Sequence, residues 1–459
     1  MKSARPPVQK IDVPDNWGPS SWTAFTALQQ ATYPDQDALS AVLEQLGELP
    51  PLVTSWEVNA LREQIADAQD GRRFMLQGGD CAESFSECTS PLIANRLKVL
   101  LQMSLVLVHG LQMPVLRVGR YAGQYAKPRS SDWETQDGVT LPTYRGDLVN
   151  SIEFSAKARI PAPERLIQAH ACSAMTMNFV RALVDGGFAD LHHPEYWDLS
   201  WVEHSPLAEE FHRLAENIGR SLKFLETISG QDAGSLRRVD FFTSHEALHL
   251  HYEQALTRQV PRQWGWYNLA THFPWLGMRT AALDGAHVEY FRGIRNPLGI
   301  KVGPGMSVDW LARLLDVLNP SREAGRIVLI HRMGEELIEG KLPALIQAVH
   351  EHGSPVLWIC DPMHGNTESI GSGMKTRRFR KIMRETDLAF DIHRTLHSRL
   401  GGVHLELTGE NVTECTGGAR DLSEADLNRA YKSTVDPRLN YEQSLELAML
   451  IVRKYGSSV

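Results

Sequence analysis

The chain has 459 residues, 22% of them charged, and a formal net charge of −8. That length leaves room for a large barrel or for two to three domains. The balance gives no footprint for nucleic acid or an anionic membrane, so any anion site must be a local basic pocket in an acidic protein. The five cysteines, odd in number and without a CxxC pair, argue against a disulfide framework, and neither a signal-peptide core nor an apolar run of membrane-spanning length is present. A reducing compartment, the cytoplasm, is the expected location.

Residues 1–70 read as an N-terminal extension: a Pro-rich arm, then a helical pattern from Asp35 through Leu46, then a second from Ser55 to Asp67. In the second, Ser55 is the expected cap, and Val58, Leu61 and Ile65 share one face. An arm of this kind is expected to serve as an oligomer contact. From residue 71 to 459 the rhythm changes to short apolar strands alternating with helical stretches. The expected strands are Arg73–Gln77, Val115–Val118, Val239–Phe242, Tyr267–Thr271, Gly299–Val302, Arg326–Ile330, Val356–Ile359 and Gly402–Leu407. Helices are expected to begin near Pro91, Pro163, Glu246, Pro274, Ser307, Gly334, Thr376 and Tyr441. Eight strand–helix units with near-continuous apolar strands predict a parallel (β/α)8 TIM barrel. After the second strand, residues 206–233 place Phe211, Leu214, Ile218, Leu222 and Leu225 at helical spacing, which predicts an inserted helical pair.

A barrel of this type carries its chemistry at the C-terminal ends of its strands. The second strand runs into RVGRYAGQYAKPRS (117–130), which sets Arg120, Lys127, Arg129 and Ser130 on a loop shaped by Gly119, Gly123 and Pro128. Later strand ends add Arg279, Lys301 and Arg332, giving a cationic group suited to substrates with several anionic groups. Paired with core carboxylates, Lys301 and Arg332 would instead be structural. Strand ends also carry Cys81, His364 and Glu406, with Asp436 in a loop beyond the eighth strand. One thiolate, one imidazole and two carboxylates suit a borderline divalent ion such as Mn²⁺, Co²⁺, Fe²⁺ or Zn²⁺. Each residue alone reads more readily as a core cysteine or a helix cap; only the shared barrel end joins them. His192 and His193, and His245, His249 and His251, mimic ligand spacing, but His245 and His249 read equally well as one face of an ordinary helix. The run from Lys375 to Lys381 reads as a solvated helix start.

Several motifs in register then resemble one family. LQGGDCAESF (76–85), GQYAKPRS (123–130), DGAHVEYFRGIRNPLGIKVGP (284–304), DPMHGNT (361–367), GGVHLELTGENVTEC (401–415) and DPRLN (436–440) are similar to type II 3-deoxy-D-arabino-heptulosonate 7-phosphate (DAHP) synthases, in the family's order from about residue 70 to 450. The resemblance implies a (β/α)8 barrel and the condensation of phosphoenolpyruvate with erythrose 4-phosphate, with release of phosphate, at the first step of the shikimate pathway. It implies metal ligands at Cys81, His364, Glu406 and Asp436, with Mn²⁺ or Co²⁺ as the expected ion. It also implies a phosphoenolpyruvate pocket at Arg120, Lys127, Arg279, Lys301 and Arg332, and Arg129 and Ser130 at the aldose phosphate. Lys127 or His364 is the expected proton donor to the new alkoxide. A homodimer or homotetramer, aromatic amino acid effectors and a chorismate mutase partner come with the resemblance as well. Two positions depart from the family: Met278 stands where many relatives have glutamate, and Arg295 replaces a small residue. A synthase acting on a different phosphorylated aldose, or a non-catalytic homologue, are the competing readings.

Overall fold

The computed structural model describes residues 17–185, 240–371 and 373–456, with positions 209, 213, 216 and 220 of the intervening segment. Apolar runs between polar turns form eight strands: β1 (Phe74–Gly79), β2 (Val115–Arg120), β3 (Phe242–Glu246), β4 (Phe273–Leu276), β5 (Leu298–Val302), β6 (Ile327–His331), β7 (Val356–Cys360) and β8 (Leu400–Glu406). They pair in parallel, each with its neighbour in the chain, and β8 returns to β1 with Gly79 beside Glu406, closing the barrel. Strand alternation divides the side chains between two cores. Val328, Ile330, Leu357 and Ile359 point into the barrel with Leu116, Val118, Phe273 and Trp275. Ile327, Leu329, Trp358 and Cys360 face the surrounding helices.

The helices are α1 (Gln36–Glu48), α2 (Ser55–Gln69), α3 (Ser90–Leu111), α4 (Glu164–Asp185), α5 (Leu250–Ala255), α6 (Ala286–Gly293), α7 (Val308–Leu318), α8 (Ile338–His352), α9 (Phe379–Thr395) and α10 (Tyr441–Gly456). Local chemistry sets several starts. The Asp35 carboxylate accepts from the Ala38 N–H, Ser307 caps α7, and Thr54 with Glu57 forms a capping box on α2, one residue before the expected cap. The helix α3 is long and apolar enough to cross a membrane by length and composition, but most of it is buried, and it packs on β1, β2 and α10.

The fourth barrel strand differs from expectation. Tyr267 lies in a small hairpin, Thr257–Gln259 against Trp266–Asn268, and the barrel strand follows at Phe273–Leu276. Pro274, read as a helix start, sits inside it. Proline cannot donate a ladder hydrogen bond, so flanking positions hold the strand: Trp275 pairs with Glu246 and Gly299, and Leu276 with Ile300. The third strand likewise runs to Glu246, and the helices expected at Glu246 and Pro274 begin at Leu250 and Ala286. Apart from four positions, the expected helical pair at 206–233 lies outside the described residues, as do His192 and His193.

One helix closes the N-terminal end of the barrel. Leu61, Ile65 and Ala68 of α2 join the interior core, while Gln69 accepts from the Gly325 N–H and donates to Pro355 O just ahead of β6 and β7. The segment before it is pinned by two indoles, Trp17 Nε1–H to Glu289 O at 2.8 Å and Trp22 Nε1–H to Gln254 Oε1 at 2.9 Å. With Ile65 fully buried in this plug, Ile65→Ala is expected to cost about 2–5 kcal/mol, measured as a lowered denaturant midpoint at unchanged slope; an unshifted midpoint would mean that α2 is not part of the barrel core.

Candidate active site at the barrel mouth

At the open end the backbone is bent to bring the first two strands together. Gly79 has φ +149°, and a Cβ there would lie 2.8 Å from Arg120 O, so only glycine fits this close approach. Two buried carboxylates then hold the loops that follow. Glu83 accepts the N–H groups of Ala122, Gly123 and Gln124 at 2.9 to 3.0 Å, which shapes the basic loop after β2. Glu414 accepts from the N–H groups of Lys432, Ser433 and Arg438 and pairs with the Arg438 guanidinium, which fixes the loop carrying Asp436.

These supports bring the expected donors to one place. Donor atoms of Cys81, Glu406 and Asp436 lie within 4.8 Å of one another, and His364 Nε2 lies 2.9 Å from Glu406 Oε1. The other His364 nitrogen meets Asp361 Oδ2 at 2.7 Å, a partner that orients the ring. Lys127 Nζ contacts both Cys81 Sγ and Asp436 Oδ2, so positive charge is already favoured among these donors. Burial, and then the Glu406 charge, push the Cys81 thiol up to about 12. Burial also raises the cost of ionising Glu406, but His364, Arg377 and Arg120 outweigh it and hold the carboxyl well below its usual range. A soft thiolate, an imidazole and two carboxylates around a spot that favours a cation fit a borderline divalent metal.

Beside them opens a cavity of about 450 Å³, lined by seven cationic side chains against four carboxylates. All six expected cations line it: Arg120, Lys127, Arg129, Arg279, Lys301 and Arg332. Arg120 is 2% exposed; it donates to Glu406 Oε1 at 3.0 Å, meets His404 Nε2 at 2.6 Å and stacks over the Trp275 ring. Lys301 contacts Asp361; burial pulls its ammonium down to about 8, with Asp361 opposing the shift. Arg332 donates to His364 O at 3.5 Å, and Arg279 to Ser130 Oγ at 3.1 Å. Arg129 is anchored by its backbone, its N–H donating to Gln29 Oε1 and its O accepting from Gln29 Nε2.

Only the second part of the basic run at 375–381 is the expected solvated helix start, with exposed Arg378 and Arg380 at the beginning of α9; the first part is not. Lys375–Arg377 pairs as a strand with Thr367–Ser369; Lys375 lines the cavity and pairs with Asp436 Oδ1 at 2.8 Å, and the fully buried Arg377 pairs with Glu406 Oε2 at 2.7 Å. The carboxylates, remote in sequence, decide its place. Glu246, too, faces the cavity at the end of β3, where burial raises its carboxyl against the pull of Lys301. His245 and His249 serve the fold, pairing with Glu253 and with the Tyr33 hydroxyl. Met278 lines the cavity beside Gly303. Arg295 does not reach it; it lies before β5 near Glu323.

Known proteins share this chain nearly end to end. A phospho-2-dehydro-3-deoxyheptonate aldolase of Streptomyces coelicolor is 47% identical over 436 residues, covering 95% of this chain and 97% of the relative. A protein of the same name from Neurospora crassa is 45% identical over 455 residues, covering 96% and 94%. The family profile described as the Class-II DAHP synthetase family matches residues 17–452, and the chain belongs to that family.

Proposed function

We propose that this protein is a DAHP synthase, joining phosphoenolpyruvate to erythrose 4-phosphate with release of phosphate at the first step of the shikimate pathway. The observation that carries the reading is the single cavity in which a thiol–imidazole–carboxylate cluster meets seven cations. A metal-poised aldehyde and two phosphorylated, strongly anionic reactants need that combination.

The residues divide the work by depth. Arg120, Lys127, Arg279, Lys301 and Arg332 would hold the phosphate and carboxylate of phosphoenolpyruvate and align its enol carbon. Arg129 and Ser130 would hold the aldose phosphate, with Arg279, already on the Ser130 hydroxyl, joining the two subsites. Cys81, His364, Glu406 and Asp436 would hold Mn²⁺ or Co²⁺, with Zn²⁺ or Fe²⁺ as competitors, and such an ion supplies Lewis acidity at the aldehyde oxygen. A C–C bond forms between the enol carbon and the aldehyde carbon, water adds to the adjoining cationic carbon, and the C–O bond to phosphate breaks. The proton for the new alkoxide would come from the Lys127 ammonium or from His364. A cytoplasmic location, a homodimer or homotetramer, feedback by aromatic amino acids and a chorismate mutase partner extend the same proposal and rest on the family resemblance.

The reading is tested by phosphoenolpyruvate consumption with erythrose 4-phosphate. Chelation is expected to abolish it and added Mn²⁺ or Co²⁺ to restore it. Cys81→Ala should bind the metal more than about tenfold more weakly, the scale seen when even outer partners of a ligand are lost. Turnover that survives complete metal removal would sink the assignment.

A second test uses the depressed Lys301. Its ammonium is present below pH about 8 and is lost as pH rises through that value, so kcat/KM for phosphoenolpyruvate should fall above pH about 8. Lys301→Arg, which stays charged, should flatten that limb; an unchanged limb in the variant would assign it to another group.

A further inference from the structure

Behind the barrel wall, the strand alternation that turns Ile330 and Ile359 inward turns His331 and Cys360 outward. The register of β6 and β7 sets these two residues side by side. The helix α9 covers them with Glu385, Ala389 and His393, spaced four residues apart on one face. His331, Cys360 and Glu385 have no exposed surface, and His393 has 1%. One donor atom each of His331, Cys360 and Glu385 lies within 4.8 Å of the others, and the His331 and His393 ring centroids are 5.8 Å apart.

Three imidazole nitrogens here are not satisfied by the protein. Neither His331 nitrogen has a hydrogen-bond partner, nor does His393 Nε2; its Nδ1 meets Ser398 Oγ at 3.0 Å. Glu385 accepts from the N–H groups of Met333 and Gly334 and from Asn366 Nδ2, but no lysine or arginine among the described residues pairs with it. Burial pushes its carboxyl up to about 8 and holds the His331 imidazole down at about 3. Orphaned imidazoles beside a carboxylate without a countercharge are costly in a core, and buried charges are ordinarily paired or bound to metal.

We propose that His331, Cys360 and Glu385 hold a divalent cation of borderline softness, such as zinc or cobalt. None of the three lines the cavity at the barrel mouth, so the site is separate from the one described above. The cation supplies the countercharge that Glu385 lacks and the partner that His331 lacks. Binding releases the Cys360 thiol proton to solvent and, below pH about 8, the Glu385 proton with it, so that both bind as anions. With every donor buried, the site has the closed character of a structural metal centre. Through Glu385 it steadies the loops after β6 and β7, which carry Arg332 and His364.

The test uses the full chain with Cys81→Ser, which removes the thiolate at the mouth, produced in cobalt-supplemented medium. This protein is expected to retain cobalt and to show thiolate-to-cobalt charge-transfer absorption, and adding Cys360→Ser or His331→Gln should abolish that absorption. Absence of the band in Cys81→Ser, or its survival in the Cys360→Ser double variant, would overturn the proposal. If both double variants fail to fold, the cobalt content of the unmutated protein decides: about two ions per chain support the site, and about one refutes it.

Discussion

A carboxylate with no exposed surface at the end of a barrel strand survives only if cations and hydrogen bonds replace the water it has lost. Glu406 obtains that replacement from Arg120, Arg377 and His364, at 3.0, 2.7 and 2.9 Å. The three partners come from the ends or following loops of β2 and β7, so the charge of one strand end positions its neighbours across the mouth. The arrangement needs β1 and β2 to approach closely, which Gly79 allows. Removing the Glu406 charge would leave a guanidinium, Arg377, buried with nothing opposite its 2.7 Å contact.

Around that centre, the other charges are arranged in tiers. Asp80 lies beneath Cys81 and pairs with Arg96 and with Arg438, which also pairs with Glu414. Glu83 and Glu414 then use their oxygens on backbone N–H groups, fixing loop shape in place of a regular element. Buried networks of this kind favour one geometry, because each member left unpartnered is expensive. In the cluster behind β6 and β7, neither nitrogen of His331 has such a partner.

Much of the architecture was legible in the sequence because parallel strands buried on both faces leave apolar runs, as at Ile327–Ile330 and Val356–Ile359. The fourth strand was hidden: Pro274 reads locally as a break, and Tyr267, Leu269 and Ala270 offer an apolar run just ahead of it. At the site, the strand ends named Cys81, His364, Glu406 and the cations, since barrel topology alone collects them at one mouth. The roles of Lys375 and Arg377 were not legible. A run of cations looks solvated until the carboxylates that receive it are known, and Asp436 is 61 residues away from Lys375. The outward-facing His331 and Cys360 were likewise silent, because single residues in apolar strands give no spacing pattern.

The plug formed by α2 has a consequence for the order of events. With the N-terminal end closed, the proposed reactants and products would pass through the mouth. Arg120 lies at 2% exposure, whereas the Arg129 side chain near the rim retains 30%. If the inner and outer cations hold the two reactants as proposed above, a chamber with one door and two berths would impose a queue. The molecule at the inner berth would have to arrive before the outer berth fills, and an outer occupant arriving early would bar the way. Crowding by the second reactant would then act as a kinetic brake built into the architecture itself.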